Sequence, residues 1–220
     1  MAKSKYLILI LAVGAVVGCR KSEPPLIAAI STRDYDKARE LILSGVDINA
    51  RMPPQGTLVH AGRSGYTALQ LACGQSAPAD LIDLMLDHGA DVNIADTLGF
   101  APLDSLEYNC SGYKNRQEYY RILEALIGHG VRAECLHANG ALTLSGAVNQ
   151  EDPRELKILL ELDFSKPVLR EGFEGAVERN HVKSLRILYD TLITEKKMAL
   201  EEIVTPETAE QVRKMLEQDQ

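Results

Sequence analysis

Three stretches of the chain follow the same course: an apolar helical segment, a glycine that halts it, and a short tail. They run from Ala38 to Ala50 with Gly45, from Ile82 to Ile94 with Gly89, and from Leu123 to Ala133 with Gly130. Glycine enters the left-handed conformation at little cost, so each glycine marks the end of a helix. A unit this short cannot bury its apolar face alone. Recurrence at a few tens of residues therefore implies units stacked in a line, each covering its neighbour. The helix-ending positions lie 44, 41 and 33 residues apart, counting Asp163 as the fourth.

The upstream halves also align. Gly65-Tyr66-Thr67-Ala68-Leu69-Gln70-Leu71-Ala72, Gly99-Phe100-Ala101-Pro102-Leu103 and the looser Gly140-Ala141-Leu142-Thr143-Leu144 each resemble the G-x-T-P-L-H-x-A element of ankyrin repeats, and Pro25-Leu26-Ile27-Ala28-Ala29 opens the series. The resemblance implies an all-α ankyrin-repeat solenoid of four to five helix-turn-helix repeats with short β-fingers, over residues 24–192. Against the ankyrin period of about 33 residues the first two spacings are long. The excess is assigned to two insertions. The first, Met52 to Gly62, falls in the finger between repeats one and two, and the second, Asn109 to Gln117, falls between the helices of repeat three. A degenerate fifth repeat is expected from Gly172 to Leu192. Residues 193–220 are read as capping helices, Glu195 to Ile203 and Pro206 to Glu217, with the polar outer face that solenoids require.

The start of the chain reads differently. Lys3 and Lys5 precede an almost unbroken apolar run from Tyr6 to Val17, followed by Gly18, Cys19, Arg20 and Lys21. The run matches the apolar core of a secretory signal rather than the ~20 residues a spanning helix needs. Val16-Val17-Gly18-Cys19 resembles the lipobox of bacterial lipoproteins. That resemblance implies residues 1–18 as a cleaved signal peptide, Cys19 as the lipidated N-terminus and residues 19–23 as a tether. Two or more acyl chains hold a protein stably on a bilayer. Arg20 stands where Asp would favour inner-membrane retention, so the expected location is periplasmic, lipid-anchored, with the outer membrane favoured.

The charge balance opposes nucleic-acid binding: the chain carries 24 Lys and Arg against 31 Asp and Glu, whereas nucleic-acid binders present a basic face. The chain has no G-x-S-x-G elbow, phosphate-binding loop, H-E-x-x-H or C-x-x-C, and the expectation is no enzyme and no cofactor. His88 and His129 precede helix-ending glycines and suit a capping role at the negative end of the helix dipole. His60, His137 and His181 fall at no ligand spacing, so no metal is assigned. With Cys19 lipidated, three cysteines remain in an oxidising compartment. In the repeat alignment Cys73 and Cys110 fall near matching helix ends of adjacent repeats. They form either a disulfide, leaving Cys135 free, or Cys73 simply takes the place of the ankyrin alanine in the core.

Loops carry binding residues more often than scaffolds do. Arg51, Leu58, His60, Arg63, Tyr66, Leu98 and Phe100 bring apolar and aromatic side chains, rimmed by arginine, to the first two fingers. These are the expected partner-binding residues, because aromatic, apolar and Arg anchors dominate interfaces. In architecture and address the chain resembles ankyrin-repeat immunity lipoproteins of type VI secretion lipase effectors. That resemblance implies a protein, monomeric when unbound, that occludes a phospholipase. The alternative is a periplasmic scaffold supporting an envelope or oxidative-stress protein.

Overall fold

The computed structural model describes residues 23–53, 64–109, 115–150 and 152–218. The lipobox, the insertion residues Leu58, His60 and Arg63, and Cys110 lie outside them. The described residues form five helix pairs in series. Helices α1 (Pro25–Ser31) and α2 (Tyr35–Leu43) make the first pair, α3 (Ala68–Gly74) and α4 (Ala79–Asp87) the second, and α5 (Pro102–Tyr108) and α6 (Arg116–Gly128) the third. Helices α7 (Ala141–Gln150) and α8 (Pro153–Leu159) make the fourth, and α9 (Lys166–Glu178) and α10 (Val182–Tyr189) the fifth. Two further helices, α11 (Leu200–Ile203) and α12 (Pro206–Gln218), close the end.

The helix starts follow from local chemistry. Thr67 and Gln70 cap α3 reciprocally: Gln70 N–H donates to Thr67 Oγ1 at 3.3 Å, and Thr67 N–H donates to Gln70 Oε1 at 2.7 Å, which satisfies two amides that the helix itself leaves unpaired. In α5 the threonine is replaced by Ala101, and Asp104 Oδ2 accepts from the Ala101 N–H at 2.7 Å instead. Pro25, Pro102 and Pro153 occupy the first turns of α1, α5 and α8, where the missing N–H costs nothing. Asp34, Asn115 and Asp152 cap α2, α6 and α8.

First helices pack against first helices and second against second, with α1 on α3, α3 on α5, α7 on α9, α2 on α4 and α4 on α6. Buried Leu26, Ile30, Leu69, Ala72, Leu103, Leu106, Leu144, Ala147, Phe173 and Ala176 continue one apolar core from pair to pair. Small residues recur at the contacts because first helices must approach closely.

A polar ladder joins the first three repeats. Asn49 Nδ2 donates to the Gly89 carbonyl at 2.9 Å while Asn49 Oδ1 accepts from the Asp91 N–H at 2.8 Å. One repeat later, Asn93 does the same to Gly130 at 3.0 Å and to the Arg132 N–H at 2.9 Å. Each asparagine thus pairs an otherwise orphaned carbonyl and amide of the next repeat's helix-ending turn. On the second helices, Arg39–Asp80, Arg121–Asp83 and Arg154–Glu124 bridge successive repeats. All three pairs are solvent-accessible, so each adds little.

Several expectations are refined. Among the described residues there is no β-strand: the finger is reduced to a single bridge, Arg51 opposite Thr67. After repeat three even this is replaced by 3-10 turns at Ala133–Cys135 and His137–Gly140. The fifth repeat starts at Lys166 rather than Gly172, because Ser165-Lys166-Pro167 opens α9 one turn and more ahead of the glycine. The helix expected from Glu195 is confined to Leu200–Ile203, since α10 runs on as a π-turn over Asp190–Glu195. Pro206 sets the start of α12 as expected. The end is fastened by Lys166–Glu202 and by Arg170 and Arg186, which donate to the carbonyls of Ile203 and Leu216.

Replacing Asn93 by Ala removes both rungs between repeats two and three. The expected cost is about 1–2 kcal/mol in urea denaturation, as for loss of a hydrogen bond or two at a half-buried site. A loss under a few tenths would show that the ladder orients the turns without stabilising them.

Candidate partner-binding surface

The finger edge is held by backbone pairing. Met52 N–H donates to the Tyr66 carbonyl at 2.7 Å and Gly65 N–H to the Met52 carbonyl at 2.9 Å. Gly65, at φ +80°, reverses the chain there, and a Cβ at this position would press on Arg51 and on Thr97 of the next repeat at 3.1 Å. Met52, the first residue of the insertion, is buried in the core. Tyr66 is half-buried against it.

Arg51 stays exposed, but its guanidinium is engaged. Nε donates to the Gly65 carbonyl at 3.1 Å and Nη2 to the Ala95 carbonyl at 2.5 Å. It therefore clamps its own finger to the next one. Thr97 completes the joint, its N–H and Oγ1 both donating to the Ser64 carbonyl at 3.3 and 2.9 Å.

The next fingertip is built on Asp96. Asp96 Oδ1 accepts from the Leu98 and Phe100 N–H groups at 2.8 and 2.9 Å, and Asp96 N–H donates to the Phe100 carbonyl at 2.9 Å. Gly99, at φ +86°, allows the chain to reverse between them. The tight turn projects Leu98 into solvent, leaving it 57 % exposed. Phe100 behaves differently. It is half-buried and stacks on the His137 ring, with centroids 4.3 Å apart and planes within 5°. Gln70 Nε2 also donates to its carbonyl at 2.5 Å.

His137 enters from the fourth repeat, with its N–H donating to Asp104 Oδ2 at 3.1 Å. Burial holds the Asp104 carboxyl above the usual carboxylate range, and the amides of Ala101 and His137 oppose that rise. Beside the stack lies an open depression of about 430 Å³, lined by Asn93, Ala95, Gly99, Glu134, Cys135, Leu136, His137 and Ala138. Its half-buried Cys135 carries a free thiol.

The structure thus brings together Arg51, Tyr66, Leu98 and Phe100 along one finger edge. Sequence reasoning missed Cys135 and His137. Neither carries a motif, and only the stacking of repeat four on repeat three places them at this edge. The Asp96-Thr97-Leu98-Gly99 turn was recoverable, because Asp at the first and Gly at the fourth position of a turn are favoured for a backbone reason: the Asp carboxylate accepts from the N–H two residues on.

His88 and His129 cap α4 and α6, Nδ1 of each donating to the carbonyl four residues back, at 2.9 and 2.8 Å. Among the described residues no group of three or more His, Cys, Asp or Glu is placed to hold a metal ion. Nor is any described helix long and apolar enough to cross a membrane. Cys73 is fully buried in α3, and burial pushes its thiol up to about 12.

Replacing Arg51 by Ala should open the joint between the first two fingers while leaving the helices folded. The Thr97 amide is the reporter, and its hydrogen exchange should accelerate roughly fivefold, the equivalent of about 1 kcal/mol. Unchanged protection of Thr97 would show that the Ser64 carbonyl holds the joint by itself.

Comparison with known proteins agrees with this architecture. A family model described as "Ankyrin repeat" matches residues 64–97, the second helix pair with its flanking turns. The chain is 35 % identical over 83 residues, or 38 % of its length, to mouse ankyrin repeat and SOCS box protein 16. The match spans 16 % of that protein, so the chain corresponds to only a small part of its length. With its serial helix pairs and capped first helices, the fold is an all-α ankyrin-repeat solenoid, the framework of a protein–protein interaction module.

Proposed function

We propose that the finger edge is the partner-binding surface, and that the chain acts by binding a protein rather than by catalysis. The observation that carries this reading is Leu98, a large apolar side chain held out in solvent by a turn whose backbone N–H groups, from Asp96 to Phe100, are all bonded. Isolated exposed apolar residues are ordinary on a surface. This one stands on a preorganised fingertip, beside an aromatic stack and an open depression, so binding need not spend free energy on ordering it.

The more specific reading rests on the lipobox-like Gly18-Cys19 and on the resemblance to immunity lipoproteins. In that reading Cys19 anchors the chain to the periplasmic face of the outer membrane, and the finger edge occludes a phospholipase effector delivered by type VI secretion. Occlusion suits a solenoid: a rigid edge covers an active site or membrane-binding face without chemistry of its own, and the anchor concentrates the inhibitor where the lipase acts. The second reading is a periplasmic scaffold for an envelope or oxidative-stress protein, supported by the same surface.

Affinity capture of the lipidated protein from its own membranes, followed by mass spectrometry, separates the two. A lipase as dominant partner supports the immunity reading; housekeeping envelope proteins support the scaffold. The surface is tested by Leu98→Asp, which leaves every described hydrogen bond of the Asp96 turn in place. It should weaken binding to the captured partner by at least about tenfold, roughly 1.4 kcal/mol, with helical circular dichroism unchanged. Undiminished affinity would remove the fingertip from the site. Phe100 is a poorer probe because its loss also disturbs the stack on His137.

A further inference from the structure

We propose that Glu107 and Glu155 share a single proton across the joint between the third and fourth repeats, and that losing it loosens this joint. The asparagine ladder stops one repeat short of here: Arg132-Ala133-Glu134 stands where Asp91-Val92-Asn93 stood in the repeat before. A charged cluster takes its place between α5, α6 and α8.

Glu155, on α8, is 0 % exposed. Arg116 Nη2 donates to its Oε2 at 3.1 Å and the Tyr119 hydroxyl also favours its charged form, while its Oε1 is buried and forms no hydrogen bond among the described residues. Glu107, on α5 and half-buried, accepts from the Tyr119 hydroxyl at 2.7 Å through its Oε1. One turn of α6 brings the two carboxyls into one cluster: Tyr119 holds Glu107, Arg116 holds Glu155, and the Arg116 guanidinium lies 5.0 Å from the centre of the Tyr119 ring. Two carboxylates facing each other can only accept hydrogen bonds. One proton between them changes that, because a carboxylic acid donates and satisfies an oxygen that burial otherwise leaves unpaired.

The surrounding charges do not supply a substitute. From α6 come Arg116, Tyr119 and Tyr120, and from the α8 cap comes Asp152. Arg116 also donates to Asp152 Oδ2 at 2.6 Å, and Tyr120 donates to the same oxygen. Arg154 lies over the Tyr120 ring and is bound to Gln117 and Glu124. Helix α7 carries no titratable residue, α3, packed on α5, carries Cys73 alone, and α10, packed on α8, carries exposed Lys183, Arg186, which donates to the Leu216 carbonyl, and half-buried Tyr189. One guanidinium thus faces three carboxyl groups. Burial pushes the Glu107 carboxyl up to about 8, the nearby Glu155 adds to the rise, and Tyr119 and Arg116 oppose it.

The direction of the effect follows. Between the ordinary carboxylate range and about pH 8 the folded chain holds a proton that the unfolded chain has released, so stability falls as pH rises through that window. Above it both states are ionised and the fall stops. The consequence is a joint that is tight in mildly acidic surroundings and looser in alkaline ones, separating the first three repeats from the last two.

The test compares the full chain with Glu107→Gln, in which an amide takes over the role of the protonated acid. From pH 5.5 to 9 the parent should lose roughly 5 °C or more in melting temperature, while the variant stays nearly flat. Amides of α7 and α8 should exchange faster at alkaline pH, after correction for the intrinsic rate, in the parent alone. Infrared spectra at pH 7 should show a protonated-carboxyl carbonyl band that disappears in Glu107→Gln. Should that variant misfold, Glu155→Gln probes the pair from the other side. A parent with a flat pH profile, a variant with the same slope as the parent, or no protonated-carboxyl band at pH 7 would each overturn the proposal.

Discussion

No helix pair in this chain can cover its own apolar face, and everything else follows from that constraint. A pair such as α3 and α4 presents Leu69, Ala72 and Ile82 on sides that only another pair can bury. Stability therefore comes from nearest-neighbour contacts summed along the stack, and the ends need separate treatment. At one end α11 and α12 supply it, tied back to α9 and α10 by arginines that donate to helix carbonyls.

The joints are not alike. Between the first three repeats, asparagines bind backbone to backbone with neutral hydrogen bonds that vary little with pH. Between repeats three and four the same task falls to Arg116, Asp152, Glu155 and Glu107. Ionic groups replace neutral ones there, and a buried ionic network stabilises only while all its members are paired. The missing asparagine and the 3-10 turns that replace the finger occur together, because the finger tail is what carried the asparagine.

The finger edge shows how a scaffold and a surface are separated in one segment. Asp96 through Oδ1, Arg51 through its guanidinium and Thr97 through its hydroxyl bond backbone groups and so fix the turns. Leu98, whose N–H is held by Asp96, is left with its side chain in solvent. Rigid presentation of a few side chains is what a recognition surface needs, since ordering costs are met during folding rather than at binding.

Repetition, the helix-ending glycines and the capping residues were all readable in the linear order, because they act within about eight residues: Thr67 with Gln70, Asp152 with Glu155, Gly89 after α4. The all-α stacked architecture follows from them directly. The reading faltered where partners are distant in sequence. Met52 lies among apolar insertion residues yet is buried, Phe100 meets a histidine 37 positions away, and Arg116 reaches the buried Glu155 39 positions away. Local sequence determines which backbone groups need partners; only the stacked tertiary structure decides which side chains are desolvated together, because desolvation depends on every neighbour at once.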